Sequence, residues 1–374
     1  MRRIHLQFWL LGIIAATSLS GCTIGRMLVY NFSDIHDYKR FASRPLPASP
    51  SPFLFHESPG EDILEKIEVM VPHGERKVPL DSLLPHSKTV AFLVIRNDSI
   101  LCERYFQGYE KHSWVASFSM AKSYTSALVG AALAEGKIQS VDDLAVNYLP
   151  ELNETNLKDL KIKHLLEMTA GIRHAENYFN PFAGVARLYY GKHLPKQIRG
   201  LKHRSPAGSE FRYQSVATQM LGEIVVRATG KDLTSYLNEK IWSHLGTEYP
   251  ASWSLDQAKN GREKAFSSIN ATACDFAKFG RLYLNKGKWS GNQLLPERWV
   301  DESVKINETE GSAWYYGYQW WIMNRQGDYA AQGHLGQFIY VNPKHNTLIV
   351  RLGKGYGKVK WHAVFANLIQ QINP

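Results

Sequence analysis

The sequence predicts an α/β fold of the α+β kind. One antiparallel sheet is built from the N- and C-terminal segments and flanked by helices, with a helical region inserted between them. Three observations lead there. Two strand-like apolar runs, Val90–Arg96 and Ile100–Phe106, lie early in the chain around the turn residues Asn97-Asp98-Ser99. Two more, Gln337–Val341 and Thr347–Leu352, lie near its end around Pro343-Lys344-His345-Asn346. Between them the patterning is mostly helical, with candidates at Ile162–Met168, Thr218–Ala228, Leu233–Trp242 and Ala273–Asn285. The inserted region is therefore placed at about 137–300.

Taken in order, the chain begins with an address. Arg2 and Arg3 form a positive start, residues 8–19 an apolar core of signal-peptide length, and Leu19-Ser20-Gly21-Cys22 follows. This stretch resembles the lipobox of bacterial lipoproteins. The resemblance implies cleavage after residue 21, acylation of Cys22 and firm attachment to a bilayer. With Thr23 after the cysteine, it also implies the outer membrane in a Gram-negative cell. Residues 22–64 read as a lipid-anchored tether, because Pro45, Pro47, Pro50, Pro52 and Pro59 break helices and favour extended chain. The folded domain is then placed at 65–374. Its first long helix is predicted over residues 119–135, rich in Ala and Leu and closed by Gly136; its last is predicted over Trp361–Ile372.

Composition narrows the class. At 374 residues, 44% hydrophobic and 21% charged, the chain has too large a core for a small module and too little charge for a disordered one. Three cysteines exclude a disulfide-stapled scaffold. Once Cys22 is assigned to the lipobox, Cys102 and Cys274 are expected to be two separate buried thiols. The formal charge is +10, and removal of residues 1–21 takes away Arg2 and Arg3 and no acid, leaving +8. A modest excess of Lys and Arg is ordinarily a solvated surface, and with no nucleic-acid-binding module beside it the charge points to an envelope surface more readily than to nucleic acid. No His-Glu-x-x-His zinc site, no Gly-x-x-x-x-Gly-Lys phosphate loop and no Gly-x-Ser-x-Gly elbow occurs. Gly353-Lys-Gly-Tyr-Gly357 reads as a turn. No metal and no organic cofactor are called for.

Three short motifs carry chemistry. Ser119-Met120-Ala121-Lys122 puts a hydroxyl and an amine on one helix face. Its place at the start of a helix lets the Ser119 N–H face a substrate oxygen, and a buried Lys122 could take the serine's proton. Tyr213-Gln214-Ser215 follows the turn Pro206-Ala207-Gly208 and precedes an apolar helix; a tyrosine near a lysine can move protons at the nucleophile. His334-Leu335-Gly336 precedes the strand Gln337–Val341. There Gly336 would let substrate lie along the strand edge, and the Gln337 N–H could serve as a second oxyanion donor.

In this order, and with this distribution of strands and helices, the chain resembles the serine β-lactamase and DD-peptidase superfamily in its class C-like branch. It looks most like the group of 6-aminohexanoate-dimer hydrolases and esterases. The resemblance spans about residues 85–370. Further residues carrying it are Ser117-Phe-Ser-Met-Ala-Lys-Ser123, Leu165-Leu-Glu-Met-Thr-Ala-Gly171, Leu221-Gly-Glu-Ile224 with Ala228-Thr-Gly230, Asp275-Phe-Ala-Lys-Phe-Gly280, Tyr316-Gly-Tyr-Gln-Trp-Trp321 and Gly333-His-Leu-Gly-Gln337.

The resemblance implies the β-lactamase/transpeptidase-like fold and a serine hydrolase acting on an amide or ester. Ser119 would be the acylated nucleophile, Lys122 its proton partner and Tyr213 the general base and later acid. The N–H groups of Ser119 and Gln337 would form the oxyanion hole. His334 stands where a lysine is frequent and Ser215 where class C enzymes commonly carry Asn. A mostly neutral histidine is a poor anchor for a carboxylate, so trapping of a β-lactam is expected more than its efficient turnover. The segment 314–321 would either wall the pocket with aromatics or pack under the sheet. Partners implied are a small amide or ester, or a cell-wall peptide ending in a D-residue, and a membrane reached through lipidated Cys22 on the periplasmic side of a bacterial cell envelope. The rival readings are a D-Ala-type peptidase or penicillin-binding protein, and a non-catalytic binding lipoprotein that keeps the fold.

Overall fold

A computed structural model describes residues 25–27, 33–58, 63–70 and 77–373. The leader 1–21 and Cys22 lie outside the described residues. The main sheet has seven strands: β1 (His56–Glu57), β2 (Thr89–Arg96), β3 (Ser99–Tyr105), β4 (Trp321–Ile322), β5 (Tyr329–Gly333), β6 (Gln337–Asn342) and β7 (Thr347–Gly353). Their spatial order is β4-β5-β6-β7-β2-β3-β1. All neighbours are antiparallel except the short edge strand β1, which runs parallel to β3. The seam between chain ends is β7 on β2, with Val350 opposite Leu93.

Both central strands are apolar along nearly their whole length because both faces are covered. Alternate residues point to opposite sides. Phe92, Val94, Phe338 and Tyr340 pack under the terminal helix Trp361–Ile372 with Phe365 and Leu368. Leu93, Ile95, Ile339 and Val350 face the larger core with the helices Ala121–Ala134 and Ala273–Leu284. The latter comes so close that a Cβ on Gly280 would meet Ile339 at 2.6 Å. Cys102 belongs to the first layer and Cys274 to the second, so the sheet separates them, and both are free and buried.

Two expectations are corrected. Residues 33–58 are part of the folded domain, not a spacer. Ser43–Leu46 pairs with Ala251–Ser254, and Ile35, Phe41, Leu46 and Phe55 are buried. The prolines permit this because an edge strand leaves one row of backbone groups unpaired, where a missing N–H costs nothing. The inserted region is also not all helical. Ala251–Ser254 and Ile269–Ala271 join Ser43–Leu46 and Val115–Ala116 in a second, four-stranded sheet. These short strands escaped notice because three or four residues give no usable period. Among the described residues no helix is long and apolar enough to cross a membrane.

Candidate active site

Helix Ala121–Ala134 runs through the middle of the molecule, and its residues 121–132 are all buried. It is entered by a tight 3-10 turn, Phe118–Met120, so Ser119 sits just outside the α-helix that was predicted to begin with it. Phe118 is held at φ +45°, a conformation that side-chain-bearing residues rarely adopt. The turn is pinned from both sides. Ser117 N–H donates to Ile269 O at 2.8 Å, and Ile269 N–H donates to Ser117 Oγ at 3.0 Å. The end of β5 lies directly against it: a Cβ on Gly333 would meet Ser117 O at 2.2 Å, so only glycine fits there.

One turn after Ser119, as the second residue of the α-helix, Lys122 is 1% exposed. Its Nζ donates to Ser119 Oγ at 3.0 Å, Ser215 Oγ at 3.1 Å and Phe266 O at 3.0 Å. It also lies 5.0 Å from the centre of the Tyr213 ring. Burial pulls its ammonium down to about 7, against the charge of Glu176, which holds it up. The Tyr213 phenol moves the other way. Burial pushes it well above its ordinary value, although its hydrogen bond with Ser119 works in the opposite sense. Of the two, Lys122 is the group that gives up its proton near neutral pH, while Tyr213 stays a hydroxyl.

The Leu165–Gly171 motif explains how Tyr213 is held. Arg212 N–H donates to Met168 O at 2.7 Å, and Gln214 Nε2 donates to Ile172 O and His174 O. The segment 314–321 packs into the core and against Tyr213, and none of it lines the slot at Ser119. Trp320 is fully buried, whereas the ring of Trp321 stacks on Tyr213 at 5.5 Å. Gln319 ties the layers together: it accepts from Thr218 Oγ1 and Ser123 Oγ and donates to Leu165 O and Leu166 O.

Sequence reasoning missed a carboxylate. Glu176 accepts from Ser215 Oγ, from Ser215 N–H at 3.0 Å and from Tyr178 OH at 2.8 Å, and lies 3.6 Å from His174 Nδ1. Burial alone would raise it, but the His174 contact, the Lys122 charge and the Ser215 bonds bring it below the usual range, so it is ionised. The available signal was His174, Glu176 and Tyr178 at alternate positions, which an extended chain turns to one side. Tyr178 in turn stacks on the His334 ring at 5.3 Å.

Ser119, Lys122, Tyr213, Ser215 and His334 are thus brought together. Burial lowers the His334 pKa, which keeps the ring neutral. Gln337 opens β6, and its amide is fixed by bonds to Gly353 O and Gly353 N–H. For Gly336 the reason differs from the one expected. Its φ of +81° completes the turn after Leu335, and a Cβ would meet Arg351 Nη1 at 2.2 Å.

Arg351 is fully buried without a carboxylate partner among the described residues. Its guanidinium donates to Gly336 O, Ser87 O, Gly355 O and Thr89 Oγ1 and rests 4.1 Å from the Trp361 ring. Burial brings its pKa down to about 9, so it remains charged at neutral pH. Arg351→Met is expected to cost about 3 kcal/mol of stability by stranding these acceptors; a denaturant midpoint equal to that of the unmodified chain would contradict this role.

Ser119, Ser215 and His334 line a slot with about 30 Å³ of free volume, narrowed by Tyr178, Tyr189 and Tyr190. That is room for one or two waters.

A family model described as beta-lactamase matches residues 84–363. The 6-aminohexanoate-dimer hydrolase of Paenarthrobacter ureafaciens is 27% identical over 320 residues, covering 79% of this chain and 80% of that one. A candidate 6-aminohexanoate-dimer hydrolase structure from Bacillus anthracis superposes with a TM-score of 0.77 at 28% identity, covering 91% and 92% of the two chains. EstCE1, described as a hydrolase with promiscuous acyltransferase activity, shares the fold with a TM-score of 0.61 at 16% identity, over 77% and 95%.

Proposed function

Because the chain belongs to the beta-lactamase family and is a serine hydrolase related to 6-aminohexanoate-dimer hydrolases and esterases, we propose that it cleaves a small, linear amide or ester through an acyl-enzyme on Ser119. The observation that carries this reading is the buried Lys122 Nζ, drawn down to about 7 and 3.0 Å from Ser119 Oγ.

Ser119 Oγ attacks the carbonyl carbon, and its proton passes to neutral Lys122. The tetrahedral oxyanion accepts from the N–H groups of Ser119 and Gln337. The C–N or C–O bond breaks, and the leaving group takes a proton from Tyr213 OH, which Lys122 replenishes. Water then attacks the acyl group, releasing the acid and restoring Ser119. This division makes Lys122 the base and Tyr213 the acid and relay, a refinement of the expectation that Tyr213 is the general base.

The slim aromatic slot favours an unbranched acyl chain. His334, neutral and stacked on Tyr178, offers no fixed charge to a terminal carboxylate, which weighs against a D-Ala-type peptidase. A scaffold that had lost turnover would have no need of a depressed lysine. Intact-protein mass spectrometry after exposure to a p-nitrophenyl ester, a fluorophosphonate or a penicillin tests the proposal. The expected result is an adduct mapped to Ser119; no adduct with any of the three on folded protein overturns it.

Glu176 tunes the base. Its negative charge holds Lys122 up, so Glu176→Gln should let the lysine fall further. Activity that requires neutral Lys122 then reaches its plateau at lower pH. A pH–kcat/KM profile whose rising limb stays put, or moves upward, would count against Lys122 as the base.

We further propose that the chain is exported and held to the bacterial envelope by acylated Cys22, on the strength of Arg2, Arg3, the apolar run 8–19 and the lipobox-like residues 19–22. Cys22→Ala should abolish incorporation of labelled palmitate.

A further inference from the structure

A second concavity, of about 540 Å³, opens beside helices Gly184–Tyr190 and Leu194–Ile198. Arg173, Arg187, Lys192, Lys196, Arg199 and Lys202 line it, and no carboxylate does. An adjoining concavity of about 440 Å³ shares Arg173 and Arg187, adds Arg204 and Arg212, and reaches Glu176 and Tyr213. One carboxylate, Glu176, lines this second part, and Glu210 reaches one of its arginines from outside. Glu176 is occupied by Ser215 and Tyr178, and Glu210 lies 3.8 Å from Arg212. Among the described residues, none of the six cations of the first part forms a side-chain ion pair or hydrogen bond. Elsewhere in the molecule cations are paired: Arg44 with Glu263, Arg227 with Glu151, Arg281 with Asp98.

The walls are fixed. Arg173 N–H donates to Lys202 O at 2.8 Å, Ile172 and His203 form a β-bridge, and Gln197 Nε2 donates to Arg187 O and Lys192 O. Six like charges held around one hollow repel one another, and a multivalent anion relieves that repulsion without reshaping the site.

We propose that the first part of this cleft, the hollow ringed by the six unpaired cations, is a binding site for a soluble polyanion carrying two or more phosphate groups; its lining shares no residue with the Ser119 slot. Phosphate suits it on two grounds. Guanidinium forks bind phosphate oxygens two at a time, and the local excess of positive charge needs more negative charge than one carboxylate supplies. The concave placing of the cations favours a free chain over a membrane, because a flat layer of headgroups would meet only the rim.

The test uses the folded chain and inorganic tripolyphosphate as probe, titrated calorimetrically at low and at high salt. Saturable binding is expected, weakened at least tenfold at high salt. It should be weakened at least tenfold again in Arg173→Glu/Arg187→Glu and, as a milder pair, Arg173→Gln/Lys196→Gln. Lys344→Glu, on the distant β6–β7 turn, should bind as the unmodified chain does. Ester hydrolysis by all variants should be unchanged, which also reports that they fold. Absence of tripolyphosphate binding, equal binding by the charge-reversed variant, or binding only to vesicles of anionic phospholipid would each overturn the proposal.

Discussion

Ser119→Ala is expected to lower kcat/KM toward p-nitrophenyl esters by at least about a thousandfold and to remove every covalent adduct. The loss should be this large because Ser119 is the hydroxyl that Lys122 Nζ meets without a competing carboxylate. Ser215 also touches Lys122, but its Oγ proton is committed to Glu176. The residual rate should reflect binding and oxyanion donors alone. The substitution should leave the fold intact, since the Phe118–Met120 turn is held by Ser117, Ile269 and the approach of Gly333 rather than by the Ser119 side chain. A variant that keeps more than a tenth of the activity, with unchanged near-ultraviolet dichroism, would mean that the reaction does not pass through Ser119.

Lys122→Met should be comparably inactive and, unlike Ser119→Ala, more stable. The lysine titrates near 7 in the folded chain, below the 10.5 of an exposed amine. Between those values the unfolded chain binds a proton that the folded chain has released, so stability from this group rises with pH across the window. Below pH 7 the full cost of a buried ammonium is present. Methionine removes that cost while filling the volume, and forfeits three hydrogen bonds. The net gain at pH 6 should be about 2 kcal/mol. It should shrink toward pH 10, where the lysine carries little penalty. A variant less stable at pH 6 than the unmodified chain would show that the three bonds outweigh desolvation, and that Lys122 is not the depressed base described above.

Much of this was legible in the chain itself. The strands β2, β3, β6 and β7 and the helices at Ala273–Leu284 and Trp361–Ile372 lie within about two residues of where apolar runs and turn residues put them. Ser119, Lys122 and Tyr213 stood out through the order of three short motifs and the resemblance that order carries. What stayed hidden was of two kinds. Short strands such as Val115–Ala116 and Ile269–Ala271 exist only because a distant segment offers its backbone edge. Glu176 and Arg351 matter chiefly through partners far along the chain, Ser215 in one case and Gly336 and Ser87 in the other; the alternation of His174, Glu176 and Tyr178 marks an extended segment but not the serine it meets. The proline-rich stretch misled for the same reason. Proline forbids helix locally, but whether the extended chain hangs free or lies along a sheet edge is settled by Trp253 and its neighbours, about two hundred residues away.

By itself the sequence determined the fold class, because periodicity is a property of neighbouring residues, and it singled out Ser119, Lys122 and Tyr213 through the order of their motifs and the family resemblance those motifs carry. Only the tertiary structure decided which way each proton carrier shifts. A lysine and a tyrosine have similar affinities for protons in water. Burial drives the ammonium down and the phenol up, and burial is a property of the whole packed molecule. It also gathered an excess of positive charge, spread along the sequence between Arg173 and Lys202, into one hollow.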